Sequence, residues 1–419
     1  SRRSHSLDRN SAMALSEISP ATSPPSLKGS ALNEPLALAA QPSTARSGPW
    51  LRAETGCGPV GAFGLGLAVA LFAPAGIART RRSRALGMRQ RLVMRAQASA
   101  TATATASAQA TGQSLSARPA LLLIEHLNLN VLSTDVALAF YSALGCVRDE
   151  RRPMSKTLHS HCGALTQFHT PSPTNEAYIQ DSGAQQWRGE IELLYADSAA
   201  VTEAVERLRS LEQDPAFQAL QITQPDGADE AFVTGPYGNR FVLRVASPAR
   251  RAAMAPSEGA RHGSEASQCV GMGAVTLRVP QDTAAPGARF YAEMLGAEVQ
   301  ELSPGCWAVS GGPQGCQQLV LEEDPEASGE ELGEHVAIYV RDFSDVFERL
   351  LERGLIFVNP RFKHLDCSTT LEEALSFSCF RFKEIIDLDS GRKLFELEHE
   401  VRSTSHKSSP PALELEATW

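Results

Sequence analysis

The chain has 419 residues, 42% hydrophobic and 21% charged, which suits a soluble globular protein of two or three domains. Its net charge of −9 is unevenly spread: residues 1–118 carry 14 Lys and Arg against 4 Asp and Glu, the remainder 25 against 44. A folded part that acidic excludes nucleic acid or anionic lipid recruited by the overall field. Eight scattered cysteines with no CxxC pair exclude a zinc ribbon, a thioredoxin-type motif and a disulfide scaffold.

Residues 1–58 are rich in Ser, Ala and Pro and show no helical or strand period. A run of twenty uncharged residues follows at 59–78, then seven arginines from Arg79 to Arg95 without an acid, then an Ala/Thr/Ser tract at 96–112. This is the composition of a removable targeting segment, and the mature chain is expected to begin between about residues 95 and 120. A retained anchor is the competing reading, because twenty apolar residues can span a bilayer. Four glycines and two prolines in the run weaken such a helix. The two-part segment resembles presequences of plastids of secondary origin, with mitochondrial import as the alternative. After processing, no stable membrane association is expected.

Periodicity starts near Ala120. Residues 124–131 alternate strictly, with His126, Asn128 and Asn130 on one face and Leu127, Leu129 and Val131 on the other, as in a half-buried strand. Asp135 is placed to cap a helix carrying Val136, Leu138, Phe140, Tyr141 and Leu144, which Gly145 ends. Strands are expected at 162–169 and 190–195, a helix through Val201, Ala204, Val205, Leu208 and Leu211, and a strand at 240–246 after the turn at 235–239. Residues 248–267 read as a linker. The same order then returns: strand 273–279, helix 288–295, strands 318–322 and 335–340, a helix through Val346, Phe347 and Leu350, and a last strand at 393–399. A short capped helix is expected at 369–375, either over the cup formed by the strands or packed outside it.

Landmarks recur between the halves. Phe140-Tyr141 with Leu144-Gly145 matches Phe290-Tyr291 with Leu295-Gly296, and the strand opening Gly189-Glu190 matches Gly333-Glu334-His335. A strand bearing His, a helix ending FYxxxLG, and a closing strand rich in Glu together resemble the vicinal oxygen chelate superfamily. That superfamily includes glyoxalase I, bleomycin resistance proteins and extradiol dioxygenases. The resemblance implies an α+β fold of two tandem domains, each a pair of βαβββ modules curled into an open cup. The expected divisions are 1–118 (targeting and linker), 119–247 (first domain), 248–267 (linker), 268–402 (second domain) and 403–419 (disordered tail).

The resemblance also implies metal positions on the first and last strands of each module. Taken module by module these are His126 with Gln167 or His169, Glu190 with Val242, Ala274 with Gln318, and His335 with Glu396 or Glu398. Neither consecutive pair is complete. Pairing the first module with the fourth collects His126, Gln167, His335 and Glu396, a set suited to Zn, Ni, Co or Fe(II), while the other pairing is dead. Glu396 is the expected proton carrier in a glyoxalase I-like lyase or isomerase, acting on a small 2-oxo compound through an enediolate. Arg244 and Arg278 either meet an anionic substrate or pair with the acidic surplus. The competing class is a non-catalytic cup, without a cofactor, that binds a small molecule; an extradiol dioxygenase-like activity comes next.

Overall fold

The computed structural model describes residues 120–172, 183–225, 228–255, 263–363, 366–410 and 413. The expected targeting segment lies outside them. Among the described residues no helix is long and apolar enough to cross a membrane.

Four modules follow one another. The first is β1 (Leu121–Asn128), α1 (Thr134–Ala143), β2 (Val147–Arg148), β3 (Thr157–Cys162) and β4 (Thr166–Pro171). The second is β5 (Gly189–Tyr195), α2 (Ser198–Leu211), β6 (Gln221–Thr223), β7 (Glu230–Thr234) and β8 (Arg240–Val245). After the connecting helix α3 (Pro248–Met254) come β9 (Cys269–Val279), α4 (Ala284–Leu295), β10 (Val299–Ser303), β11 (Cys306–Gly311) and β12 (Gln317–Glu323). The fourth module holds β13 (His335–Val340), α5 (Phe343–Glu352), α6 (Leu371–Phe377), β14 (Cys379–Ile386) and β15 (Lys393–Arg402). The fold is α+β, as the resemblance implies.

Within every module the first strand runs parallel to the last, as β1 does to β4 and β13 to β15. Modules then join through antiparallel first strands, β1 with β13 and β5 with β9. One sheet therefore has the order β14-β15-β13-β1-β4-β3-β2, and the other β10-β11-β12-β9-β5-β8-β7-β6. Each consecutive stretch, 119–247 and 268–402, gives one module to each sheet. The short connection through α3 lets β9 fold back on β5, which leaves β1 with an open edge. An unpaired edge in a core exposes a row of backbone donors and acceptors, and β13 satisfies them. Gly189 marks how tight the other seam is: a Cβ there would lie 1.8 Å from the carbonyl oxygen of Thr276.

The two sheets share one apolar core, and the Phe-Tyr pairs of the helices wedge them together. Tyr141 stacks on Phe168 of β4 with ring centroids 4.7 Å apart, and Phe140 meets Phe241 of β8 at 5.4 Å. Phe290 packs on Phe382 at 6.0 Å, and the Tyr291 hydroxyl lies 3.0 Å from His399 Nε2. Helix faces thus occupy the space between the sheets, and the strand faces turned away from them are left to line the cups.

Several local expectations change. Ser133, not Asp135, caps α1, its hydroxyl accepting from the Val136 N–H. The strand expected at 162–169 is a hairpin, because Gly163 adopts φ +72° and turns β3 into β4. The linker contains α3, started by Ser247 and Pro248. Thr370 and Glu373 form a reciprocal capping box at α6, which packs on α5 and β14 in the helical layer and not over the cup. The expected tail without structure is laid down as turns over 403–410: the Ser403 N–H donates to the Ser378 carbonyl, and Leu413 is buried with Leu122 and Leu123.

Gln317 ties the sheets by its side chain. Its Oε1 accepts from the Ile124 N–H at 2.9 Å, and its Nε2 donates to the carbonyls of Ile124 and Met272, both at 2.9 Å. Gln317→Leu leaves three buried backbone groups without that partner, and a loss of about 2–4 kcal/mol is expected in urea unfolding. His399 supplies a pH dependence. Burial pushes its pKa from 6.5 down to about 3, against the raising effect of the ring bond to the Leu397 carbonyl. The unfolded chain therefore binds the extra proton between those values, so stability present above about pH 6.5 is lost as the pH falls. The expected slope is roughly 1.4 kcal/mol per pH unit for this group. Stability curves from pH 7 to pH 4 should be shallower by about one proton in His399→Gln.

Candidate metal centre

The pairing of the first and fourth modules creates a rung across four strands. Gln167 of β4 pairs with His126 of β1, His126 with Ala337 of β13, and Ala337 with Glu400 of β15. The small Ala337 leaves space between its neighbours, and His335 leans in from two residues earlier on β13. A suitable nitrogen of His126, one of His335 and a carboxylate oxygen of Glu400 all lie within 4.8 Å of one another. Glu400 Oε2 stands 3.5 Å from His335 Nε2 and 3.9 Å from His126 Nε2. The two imidazole centroids are 5.7 Å apart.

The electrostatics suit a cation. Burial pushes the His126 pKa down to about 4 despite the neighbouring Glu125 carboxylate, so the ring is neutral at pH 7. Its Nδ1 lies 3.0 Å from Glu125 Oε2, which fixes the proton there and leaves Nε2 as a lone-pair donor with no hydrogen-bond partner. His335 Nδ1 is also buried without a partner. His169 stacks on His126 at 3.7 Å, and burial, then His126, holds its pKa well below the ordinary value. Glu400 is kept well below the usual carboxylate range: burial opposes ionisation, but Arg402 and Arg381 outweigh it.

Around this point Glu125, Asp366, Glu398 and Glu400 meet the guanidiniums of Arg381 and Arg402. Arg381 reaches Asp366 at 2.8 Å, Glu398 at 2.8 Å and Glu400 at 3.0 Å. Arg402 bonds both Glu400 and Glu125. Two buried imidazoles and one carboxylate, with the His126 Nε2 left without a hydrogen-bond partner, fit a divalent metal. Phe362 covers the centre, edge-on to His335 at 5.3 Å and beneath the Arg381 guanidinium at 4.3 Å.

Of the residues expected at the site, His126 and His335 are brought together. Gln167 lies on the same rung, but its Nε2 donates to Glu125 Oε1 at 3.0 Å, so it acts behind the ligands. Glu398 is held by Arg381 and by Asn359 Nδ2 at 2.7 Å. Glu396 lies outside the convergent group, its carboxylate 3.2 Å from Lys393 and 3.5 Å from Lys383. The carboxylate at the centre is instead Glu400. The count from the closing turn misses it because the β14–β15 hairpin is longer than its counterpart. Val242, the equivalent of Glu400 by register, stands four residues beyond Gly238, whereas Glu400 stands nine beyond Gly391.

Glu190, Arg244 and Arg278 belong to the other sheet. Arg244 pairs with Glu192 at 3.1 Å and Glu230 at 2.8 Å, and Arg278 lies 3.5 Å from Asp324. Both guanidiniums are thus taken up by acids rather than aimed at the imidazoles. At the equivalent rung of that sheet Glu192 replaces Ala337, and its Oε2 accepts from the Ala274 N–H at 2.9 Å and from Arg250 at 2.8 Å. With Ala274 and Val242 in place of His126 and Glu400, that cup offers an internal ion pair where the first offers donors.

Sequence reasoning also passes over Glu331. Burial, then the nearby Glu398, pushes its pKa up to about 7, and Lys383 only partly offsets this. Its backbone N–H points to Glu396 Oε2 at 3.4 Å, and its own Oε2 is buried without a partner. The residues 396, 398 and 400 share one face of β15, so a row of carboxylates runs from Glu331 toward the centre.

No family model and no curated protein matches the chain. Solved structures do. A glyoxalase I variant from Zea mays is 15% identical, covers 69% of this chain and 92% of its own, and has a TM-score of 0.40. A lactoylglutathione lyase from Agrobacterium tumefaciens is 21% identical over 30% of this chain and 93% of its own, at a TM-score of 0.22. A glyoxalase/bleomycin resistance protein/dioxygenase family enzyme from Burkholderia phytofirmans is 11% identical over 30% and 98%, at 0.22. Within the chain itself, every module closes first strand on last in parallel, and modules pair through antiparallel first strands. That architecture is the paired-module fold that the sequence resemblance implies.

Proposed function

We propose that the protein is a divalent-metal-dependent enzyme whose ion is held by His126, His335 and Glu400. One observation carries the reading: the His126 Nε2, buried without a hydrogen-bond partner, and the His335 Nε2 both face the Glu400 carboxylate, the three ligand atoms lying within 4.8 Å of one another. A divalent ion there supplies Lewis-acid polarisation of neighbouring oxygens on a small substrate. Glu125 sets the tautomer and orientation of His126, and Arg402 braces Glu125 and Glu400 in turn. Glu331, its pKa pushed up to about 7 by burial, is the proton carrier we assign, because such a carboxyl both takes and returns a proton at neutral pH. This supports a glyoxalase I-like lyase or isomerase acting on a small 2-oxo compound.

A second reading has its own support. Because Gln167 is turned to Glu125, the remaining donors are two histidines and one carboxylate, the set used by non-haem Fe(II) oxygenases. Ring opening of a catechol-type substrate follows from that reading.

Metal retention tests the centre first. His335→Ala and Glu400→Gln should each weaken retention of Zn(II), Ni(II), Co(II) and Fe(II) by about 100-fold or more, while Glu396→Gln leaves it near the wild-type value. Retention unchanged in folded His335→Ala would rule the centre out. Turnover then separates the reactions. The thiohemiacetal of a 2-oxoaldehyde is offered to the Zn- and Ni-loaded protein, and a catechol with dioxygen to the Fe-loaded one. In the first case Glu331→Gln should lower turnover by about 10²–10⁴-fold with metal content unchanged. Dioxygen uptake that survives Glu331→Gln favours the second.

A further inference from the structure

Away from the cups, a second set of ligand-type side chains converges where the two sheets meet. Cys146 follows α1, Cys162 ends β3, and Cys269 opens β9, yet their sulfurs all lie within 4.8 Å of one another. All three side chains are buried. The backbone around them is drawn in closely. Gly145 adopts φ +88°, and a Cβ on it would stand 2.9 Å from Gln268 Cβ; a Cβ on Gly163 would meet the Val270 carbonyl oxygen at 2.0 Å. The Gln268 N–H donates to the Gly145 carbonyl, and the Ser267 hydroxyl accepts from the Gly163 N–H, both at 2.9 Å. Three thiols from three separate chain segments are thus held by a rigid seam.

The three thiols share hydrogen bonds, and burial holds the Cys162 thiol well above its ordinary pKa, as hydrogen bonding with its neighbours holds Cys146. Arg207 donates through Nε to the Ala143 carbonyl at 3.0 Å, while its buried Nη2 has no hydrogen-bond partner. Cys269 Sγ lies 3.1 Å from the Leu144 carbonyl, which also accepts from the Tyr195 hydroxyl at 2.7 Å.

We propose that Cys146, Cys162 and Cys269 form a buried three-sulfur site for one thiophilic d10 cation, Cu(I). Soft sulfur donors select such ions over the hard cations that carboxylates and water prefer. A metal–sulfur bond of about 2.3 Å places trigonal sulfurs about 4 Å apart, within the spacing present. Cu(I) is satisfied by three ligands, as this apolar, closed position requires. Binding forms three Cu–S bonds and releases the thiol protons to solvent; no electron is transferred, since copper arrives and remains as Cu(I). The Arg207 guanidinium offsets part of the remaining negative charge. The ion joins β3 of one sheet to β9 of the other, so its effect is on cohesion of the sheets. The site is independent of the imidazole centre in ligands and in place.

The test uses the full reduced chain under anaerobic conditions, titrated with Cu(I) held by the chelator bicinchoninate. One equivalent should be withdrawn, with sulfur-to-copper charge-transfer absorption, sulfur-only coordination in X-ray absorption, and a raised unfolding midpoint. Cys162→Ser and Cys269→Ser should each weaken this binding by about 100-fold. His126→Ala and the double change Cys306→Ser, Cys367→Ser should keep the equivalent. Because a core substitution can unfold the chain, sulfur-only coordination in the wild-type protein, together with its survival in the control variants, stands as the second measurement. Three outcomes overturn the proposal: no copper withdrawn, copper kept by a folded Cys162→Ser variant, or zinc held by these sulfurs with no copper taken up. A disulfide among the three thiols in the protein as isolated overturns it as well.

Discussion

The antiparallel seam between β1 and β13 is the contact on which the candidate site depends. It joins residues about two hundred positions apart, and it alone brings His126 beside His335. The seam follows from a simple constraint. The second and third modules pair through a short connection, and the first strands of the other two are left as buried edges. Backbone donors and acceptors on such an edge cannot remain unpaired in a core, so β1 and β13 meet. The donors on their cup face are carried together by hydrogen bonds that have nothing to do with metal binding.

Once assembled, the cup holds several buried carboxylates whose charge has to be met. Burial costs carboxylates a good deal unless they are paired, and Arg381 and Arg402 pair Asp366, Glu398, Glu400 and Glu125 in a shared network. What remains is the His126 Nε2, buried without a hydrogen-bond partner beside Glu400, which a structural ion-pair network has no need of. The second sheet shows the contrast. There Glu192, Arg244 and Arg250 balance one another at the matching rung, with Ala274 and Val242 offering no donor. Duplication supplied two cups, and the donors are kept in one.

The sheet architecture also explains where side chains outside the cups go. The Phe-Tyr pairs of α1 and α4 fill the space between sheets, so cup and core take opposite faces of the same strands. On β15 the alternation is plain: Glu396, Glu398 and Glu400 face the cup, while Phe395, Leu397 and His399 face the core, where His399 is stacked on Phe382 at 4.3 Å. The same strand thus carries a site and a piece of the core.

How much of this is legible in the sequence depends on the range of the interaction. Strand alternation has a period of two and helix stripes a period of 3.6, so the module order, the cup face of β1 and the histidines on the first strands can be read locally. The fourfold repeat and the asymmetric loss of donors are likewise written in residue types. The hairpin at Gly163 and the cap at Ser133 were missed by small margins, because turn and cap geometry compete over one or two residues. Glu400 was missed for a different reason. Three glutamates share one face of β15, and choosing among them requires the register of β15 against β13. That register is set by pairing across the sheet and by the length of the β14–β15 hairpin, neither of which leaves a periodic trace in the chain. The convergence of Cys146, Cys162 and Cys269 is of the same kind. The sequence by itself determined which residues could serve; tertiary pairing, acting between segments far apart in the chain, decided which of them meet.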